Sequence, residues 1–584
     1  MDIHSHGNPN ATCVTHLTLD LSLDFEKQQA AGTATLALER KDPAAPLVLD
    51  AQGLAVERVT GGDGRDRKYA LGPEDPNIGQ ALTIELAPED TKITVHYHTT
   101  DKSGAMQWLA PEQTAGGKRP FLFTQGQSIF TRTWIPIQDS PAVRVTYDAT
   151  IRAPKGMTAV MSADRLDRGK DGAFRFEMKL PIPTYLIALA CGDLEFRPIS
   201  GRSGIWAEPS VVDGARREFE DTETMIAAVE RIFGPYRWGR YDLLVLPPSF
   251  PFGGMENPTL TFATPTVLAG DKSLVSIVAH ELSHSWSGNL VTNATWSDFW
   301  LNEGFTMYLE GRTMEAVYGK DRALMEQQLG RAELEREMKD LDPKDQVLHV
   351  DLRGRHPDDG FTTVPYEKAA MFLRRIEELV GREAFDRFLK GYFDAHAFQS
   401  ITTEDFVGYL KANLLDARPD AAAKLDIDLW LSQPGLPADA PAARSKALAD
   451  VDRALEAYAR GVEPAKLETA GWVTQQWQHF LTNLPASVDA ERMAQLDAAF
   501  AFTKSHNSEI LGEWLRLSIE RHYSGADARL EEFLMEVGRR KFLKPLYTEL
   551  AKTDAGKVRA KEIYAKARPR YHAICQAAID KIVS

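Results

Sequence analysis

SIVAHELSHSW, residues 276–286, places two histidines and a glutamate in an otherwise apolar run. Asp271, Lys272 and Ser273 before it offer helix-starting side chains, and Gly288 with Asn289 offers a stop. The spacing therefore predicts a helix of about fifteen residues. On that helix His280 and His284 stand one turn apart on the same face, where two imidazole nitrogens can reach one cation. Glu281 lies beside that face and can approach a water held there without being a ligand itself. Two histidines underfill a catalytic zinc site, which usually takes three protein ligands and keeps one position open. Glu303 is the candidate third ligand, nineteen positions after His284 in WSDFWLNEGFTMYLEGR (296–312), on a second predicted helix. A turn over residues 289–297 would bring the two helices face to face. The HExxH pattern alone arises by chance in roughly one chain in a hundred of this length. What favours a metal site over core histidines is the helix start and stop signals together with the following carboxylate.

The rest of the chain divides by periodicity. From Leu17 to Phe25 the apolar residues alternate strictly, as in half-buried antiparallel strands, and GTATLALER continues the period of two. Residues 1–195 are expected to form a β-rich domain. Residues 196–432 open with short β-like pieces such as YDLLVLPPSF and then turn helical. Residues 433–444 hold Pro434, Gly435, Pro437 and Pro441, cannot continue a helix, and are expected to be a linker. Beyond them Leu530, Phe533, Leu534 and Val537 follow helical spacing, and residues 445–584 are expected to be all-α. The expected fold class is thus a multidomain α+β protein.

With 584 residues, more than one hydrophobic core is expected. A formal net charge of −15 argues against nucleic acid or an anionic membrane surface as the partner. The three cysteines, Cys13, Cys191 and Cys575, are far apart and form no CxxC pair, so neither a disulfide framework nor a thiolate metal site is expected. The N-terminus shows no basic region followed by an apolar one, and no apolar run of about 18 residues occurs. A cytoplasmic protein is expected.

HELSH, with eighteen residues before the glutamate of NEGF and with GGMEN upstream at Gly253 to Asn257, resembles the gluzincin aminopeptidases, and most closely those of the leukotriene A4 hydrolase type. QGQ, VPYEK and GRRKF fall in the matching order, so the resemblance spans nearly the whole chain. It implies a β-saddle N-terminal domain, a thermolysin-like catalytic domain and an α-helical C-terminal domain enclosing a cleft. It further implies one zinc per chain held by His280, His284 and Glu303, with Glu281 as general base. Tyr366, in VPYEK, matches the tyrosine that donates to the oxyanion. Taken alone it would be a structural tyrosine next to Pro365.

The same resemblance gives Glu256 the substrate's free α-ammonium, with Gly253, Gly254 and Met255 alongside the bound peptide and Gln125 and Gln127 around the amine and the first side chain. Arg539 and Lys541 match basic residues that grip a substrate carboxylate, although alone they would be a solvated basic face near a helix end. The implied function is a zinc aminopeptidase acting as a monomer on short peptides with a free N-terminus. One position departs from the family: Phe361 stands where leukotriene A4 hydrolase has a tyrosine, while Asp358, matching the carboxylate that directs water in epoxide opening, is present. Lipid epoxide hydrolysis is one alternative. A non-catalytic peptide-binding module is another, and intact Glu281 and Tyr366 weigh against it.

Overall fold

A computed structural model describes residues 2–166 and 172–584. The alternating run behaves as its period dictates. The strand Thr12–Asp24 buries Leu17, Leu19 and Leu21 completely and turns Thr18 and Ser22 outward. It sits in a seven-stranded sheet, pairing antiparallel with Gln29–Arg40 and parallel with Arg144–Arg152 in the register His16 to Thr146. Sheets of four and three strands complete the β-rich part, up to Leu189–Gly192.

A five-stranded mixed sheet follows. Its middle strand, Tyr241–Val245, is buried at every residue, as a parallel strand covered on both faces must be. Its edge is the short strand Gly254–Met255, antiparallel to Leu260–Ala263 with Gly254 opposite Ala263. GGMEN thus forms the rim of the sheet. Helix α1 (Ser276–Ser283) packs against helix α2 (Trp300–Tyr318).

Two local expectations need correction. Helix α1 has eight residues, not about fifteen. At its start Asp271 caps its own turn, accepting the Ser273 amide at 2.9 Å, so the helix begins only at Ser276. Past its end the chain reverses at Gly288 with φ +102°, a conformation that favours glycine. The connection to α2 is also more than a turn: it contains the strand Val291–Asn293, paired in parallel with Gln399–Ile401.

From Lys446 onward the described residues form helices and short turns. Leu530, Phe533 and Leu534 are buried within the helix Asp527–Glu536, as their spacing requires, with Val537 just beyond its end. One continuous apolar core runs from Val14 to Leu431, so the β-rich and catalytic parts are not separately packed. The helical part holds two further clusters. Two of its helices matter below, α3 (Ser508–Glu520) and α4 (Arg540–Leu550). The segment before α4 is tied to the loop leading into GGMEN, through the Gly538 amide to the Pro248 carbonyl at 2.8 Å and the Arg540 amide to the Pro251 carbonyl at 2.9 Å.

Arg144 performs the same tying at the β-rich side. Its half-buried guanidinium has no carboxylate partner among the described residues and donates to the carbonyls of Pro181 (2.8 Å) and Asn289 (2.6 Å) and to the Thr292 hydroxyl (2.5 Å). Asn289 in turn donates to the Glu256 carbonyl at 2.7 Å. Arg144→Met should therefore destabilise the protein by about 2–3 kcal/mol, because it leaves buried acceptors unpaired. The measurement is the urea midpoint of unfolding, and an unchanged midpoint would show that the tie contributes nothing.

Candidate metal centre and substrate cleft

Helix packing brings the three predicted ligands to one point. His280 Nε2 lies 3.2 Å from His284 Nε2, and Glu303 Oε2 lies 3.3 Å from the first and 3.6 Å from the second. The far nitrogens are already engaged. His280 Nδ1 meets Glu310 Oε2 at 3.0 Å, and His284 Nδ1 meets the Ser287 carbonyl at 3.1 Å. Carboxylate and carbonyl can only accept, so both rings carry their proton on Nδ1 and turn an Nε2 lone pair inward. Among the described residues Glu303 Oε2 is buried with no hydrogen-bond partner. Two imidazole nitrogens and a carboxylate oxygen thus converge, an arrangement that calls for a cation between them, and the two-imidazole, one-carboxylate donor set suits zinc. Burial drives His284 down to about 4. Burial lowers His280 as well, but Glu303 and Glu310 outweigh it and hold that imidazole well above its usual value. At His280, proton and metal compete for the same lone pair.

Three further groups face this point. Glu281 is buried, and its Oε2 has no partner among the described residues; burial first, then the nearby Glu256, Glu303 and Glu310 charges, raise its carboxyl well above the usual range. The Tyr366 ring stacks on His280 at 6.4 Å between centroids and meets Phe299 edge-on. Tyr366 lies in a wide π turn over Val364–Lys368, and burial followed by the Glu303 and Glu256 charges raises its hydroxyl far above 10. Glu256 is buried, and its Oε1 accepts weak bonds from Gln127 Nε2 (3.4 Å), Tyr185 Oη (3.3 Å) and Asn302 Nδ2 (3.5 Å). Gln125 behaves differently: its amide is bonded both ways to the Gln127 backbone. Phe361 stacks on Phe299 at 4.3 Å, and Asp358 accepts the Ser128 hydroxyl at 2.7 Å.

Arg539 approaches GGMEN from the helical side. Its guanidinium is buried, and a Cβ placed on Gly253 would lie only 2.7 Å from its Nη2. Lys541, which is 44% exposed, stands further out. Sequence reasoning missed Asn302, Tyr185, Glu310 and Glu509. Glu310 had a signal, since it lies seven residues after Glu303 on the same helix face. Tyr185 and Glu509 had none, because only tertiary folding brings them near.

Domain order and donor set together define a three-domain metallopeptidase. Models of known families match three successive stretches: Peptidase M1 N-terminal domain over residues 14–186, Peptidase family M1 domain over 217–428, and Leukotriene A4 hydrolase, C-terminal, over 472–583. Aminopeptidase B of Mus musculus is 36% identical over 620 aligned positions, covering 98% of this chain and 94% of the relative. Leucine aminopeptidase 2 of Ajellomyces capsulatus is 36% identical, covering 99% and 96%. Among solved structures, yeast LTA4 hydrolase in complex with bestatin is similar with a TM-score of 0.93 at 32% identity, over 100% of this chain and 97% of that one. The chain belongs to peptidase family M1.

The two glycines of GGMEN have a use that their sequence does not disclose. The space a side chain would take at Gly253 holds the Arg539 guanidinium, and at Gly254 it holds the Glu281 carboxylate, whose Oε1 would lie 2.2 Å from an added Cβ. Gly254→Ala should therefore push Glu281 aside while leaving the ligands in place. Peptide turnover should fall by about a hundredfold with metal content unchanged, the cost of roughly an ångström's misplacement. Unchanged turnover in the metal-loaded variant would show that Glu281 does not depend on this contact.

Proposed function

We propose that this zinc-dependent metallo-aminopeptidase removes the first residue of short peptides, with His280, His284 and Glu303 holding zinc, Glu281 moving the proton, Tyr366 donating to the oxyanion and Glu256 taking the free α-ammonium. The observation that carries this reading is one distance. Ligand-capable atoms of Glu256, Glu281 and His284 lie within 4.8 Å of one another. The α-nitrogen of a peptide is two bonds from its first carbonyl carbon, so an amine anchor this near the proton carrier admits one residue and no more. An endopeptidase needs an open path there.

Zinc bound to this donor set supplies Lewis acidity to the carbonyl and lowers the pKa of a water it holds to about 7. Glu281, with its partnerless oxygen and raised carboxyl, takes the proton of the attacking water and hands it to the leaving amine. Tyr366, whose ring stacks on His280, keeps its proton at neutral pH and would donate it to the charge that develops on the carbonyl oxygen. Glu310 and the Ser287 carbonyl hold the two imidazoles in the tautomer that faces inward. Gln127, Tyr185 and Asn302 orient Glu256, whose buried carboxylate gains a full partner when an ammonium arrives. Gln125 holds the loop that presents Gln127. Gly253, Gly254 and Met255 flank the peptide on the sheet edge, and Arg539 and Lys541 face its C-terminal carboxylate.

The division at 195/196 and the linker over 433–444 stand as part of this reading, as do a monomer and a cytoplasmic location. All three cysteines are free, which suits a reducing compartment. Among the described residues no helix is long and apolar enough to cross a membrane. Lipid epoxide hydrolysis is not favoured, because Phe361 brings a stacked ring rather than a hydroxyl.

Glu281→Gln should keep its zinc and lose about two to four orders of magnitude in kcat, since only proton transfer is removed. A nearly normal rate would sink the assignment of the base. Glu256→Ala should lower kcat/KM for free-amine peptides far more than it lowers zinc content, and N-acetylated peptides should be poor substrates of the unmutated enzyme. Efficient cleavage of acetylated peptides would make the protein an endopeptidase.

A further inference from the structure

Arg539 and Lys541 do not meet the cleft as two free cations. Glu509, in the first turn of α3, stands between them: its Oε1 is 3.3 Å from Arg539 Nη1, and its Oε2 is 2.9 Å from Lys541 Nζ. Gln478 donates to the same Oε2 at 2.8 Å. The Glu509 side chain is only 6% exposed, so its charge is poorly screened by solvent. Burial raises its carboxyl, but Lys541 and Arg539 outweigh that and keep it below the usual value, hence ionised at neutral pH.

The Arg539 guanidinium is divided by these contacts. Nη1 serves Glu509 and the Thr266 hydroxyl (3.1 Å), while Nη2 has no hydrogen-bond partner among the described residues and lies over Gly253, beside the edge strand. Glu333 and Glu281 also lie within electrostatic reach of this guanidinium. One donor edge is thus aimed at the cleft, and the Lys541 charge is opposed by Glu509. The three side chains together carry a formal charge of +1.

We infer that Glu509 sets the charge specificity of this end of the cleft: by neutralising one of two cations it matches the site to a peptide ending in a single carboxylate and disfavours a last residue that carries a second. The inference rests on the proposed reading of Arg539 and Lys541 as the grip on the substrate's C-terminal carboxylate. A second carboxylate meets the Glu509–Lys541 pair, where it must either displace an established partner or lie beside a like charge.

The test uses the zinc-loaded full chain and three tripeptides that share their first two residues. One ends in Gln with a free carboxylate, one is its C-terminal amide, and one ends in Glu with a free carboxylate. The unmutated enzyme should prefer the free acid to the amide, and Gln at the end to Glu. Glu509→Gln keeps the shape and removes the charge. With one unit charge removed at about 6 Å, the acid-to-amide ratio of kcat/KM should rise at least about threefold and the Gln-to-Glu preference should shrink by a similar factor, chiefly through KM. A folded Glu509→Gln protein with both ratios unchanged overturns the inference and leaves the carboxylate grip standing. Equal cleavage of acid and amide by the unmutated enzyme overturns the grip itself, and the inference with it. Should Glu509→Gln fail to fold, Lys541→Met decides the matter: lowering the local charge should move both ratios the opposite way, and no movement overturns the inference.

Discussion

Two imidazole nitrogens and a carboxylate oxygen face one another across 3.2–3.6 Å and need a cation between them. Left alone this is an unfavourable meeting of lone pairs in a buried place, and the surrounding fold is what enforces it. Helices α1 and α2 must pack closely, which the reversal at Gly288 allows. Each imidazole is pinned from behind, one by Glu310 and one by the Ser287 carbonyl. Behind Gly288 stands Asn289, which links the Arg144 guanidinium of the β-rich part to the Glu256 backbone. The proposed metal centre and the proposed amine anchor, Glu256, are therefore joined by one hydrogen-bonded path.

Charge is graded across the candidate site. At one end Glu256 and Glu281 are buried carboxylates with raised pKa values and incomplete bonding, ready for a cation or a proton. At the other end Arg539 and Lys541 carry positive charge, tempered by Glu509. A short peptide with free termini has the opposite polarity, positive first and negative last. At the edge strand Gly254–Met255, Gly254 leaves room for the Glu281 carboxylate, and Gly253, just before it, leaves room for the Arg539 guanidinium. The helical part is thus a wall of the site, clamped to it by the Gly538 and Arg540 amides.

How much of this could be read in the sequence follows from the range of each interaction. His280, His284 and Glu303 were legible because helical period and a short separation are local quantities. The β-rich, mixed and helical succession was legible from alternation and helical spacing. The length of α1 was misjudged because Asp271 bonds its own turn instead of capping the helix, a choice decided by local geometry. The burial of Arg539 was hidden, since a basic residue before a helix looks solvated until the loop carrying Pro248 and Pro251 is placed beside it. Tyr185, Asn302 and Glu509 take their roles from partners 30 to 117 residues away in the chain, beyond any periodicity.

A second buried trio, Glu256, Glu281 and His284, could also gather around a cation, which makes the location of the metal the decisive fact. Anomalous diffraction at the zinc absorption edge from crystals of the zinc-loaded protein locates it directly. One peak per chain is expected at about 2.0–2.2 Å from His280 Nε2, His284 Nε2 and a Glu303 carboxylate oxygen, with Glu281 outside ligand distance. A peak between Glu256, Glu281 and His284, with Glu303 unliganded, would contradict it.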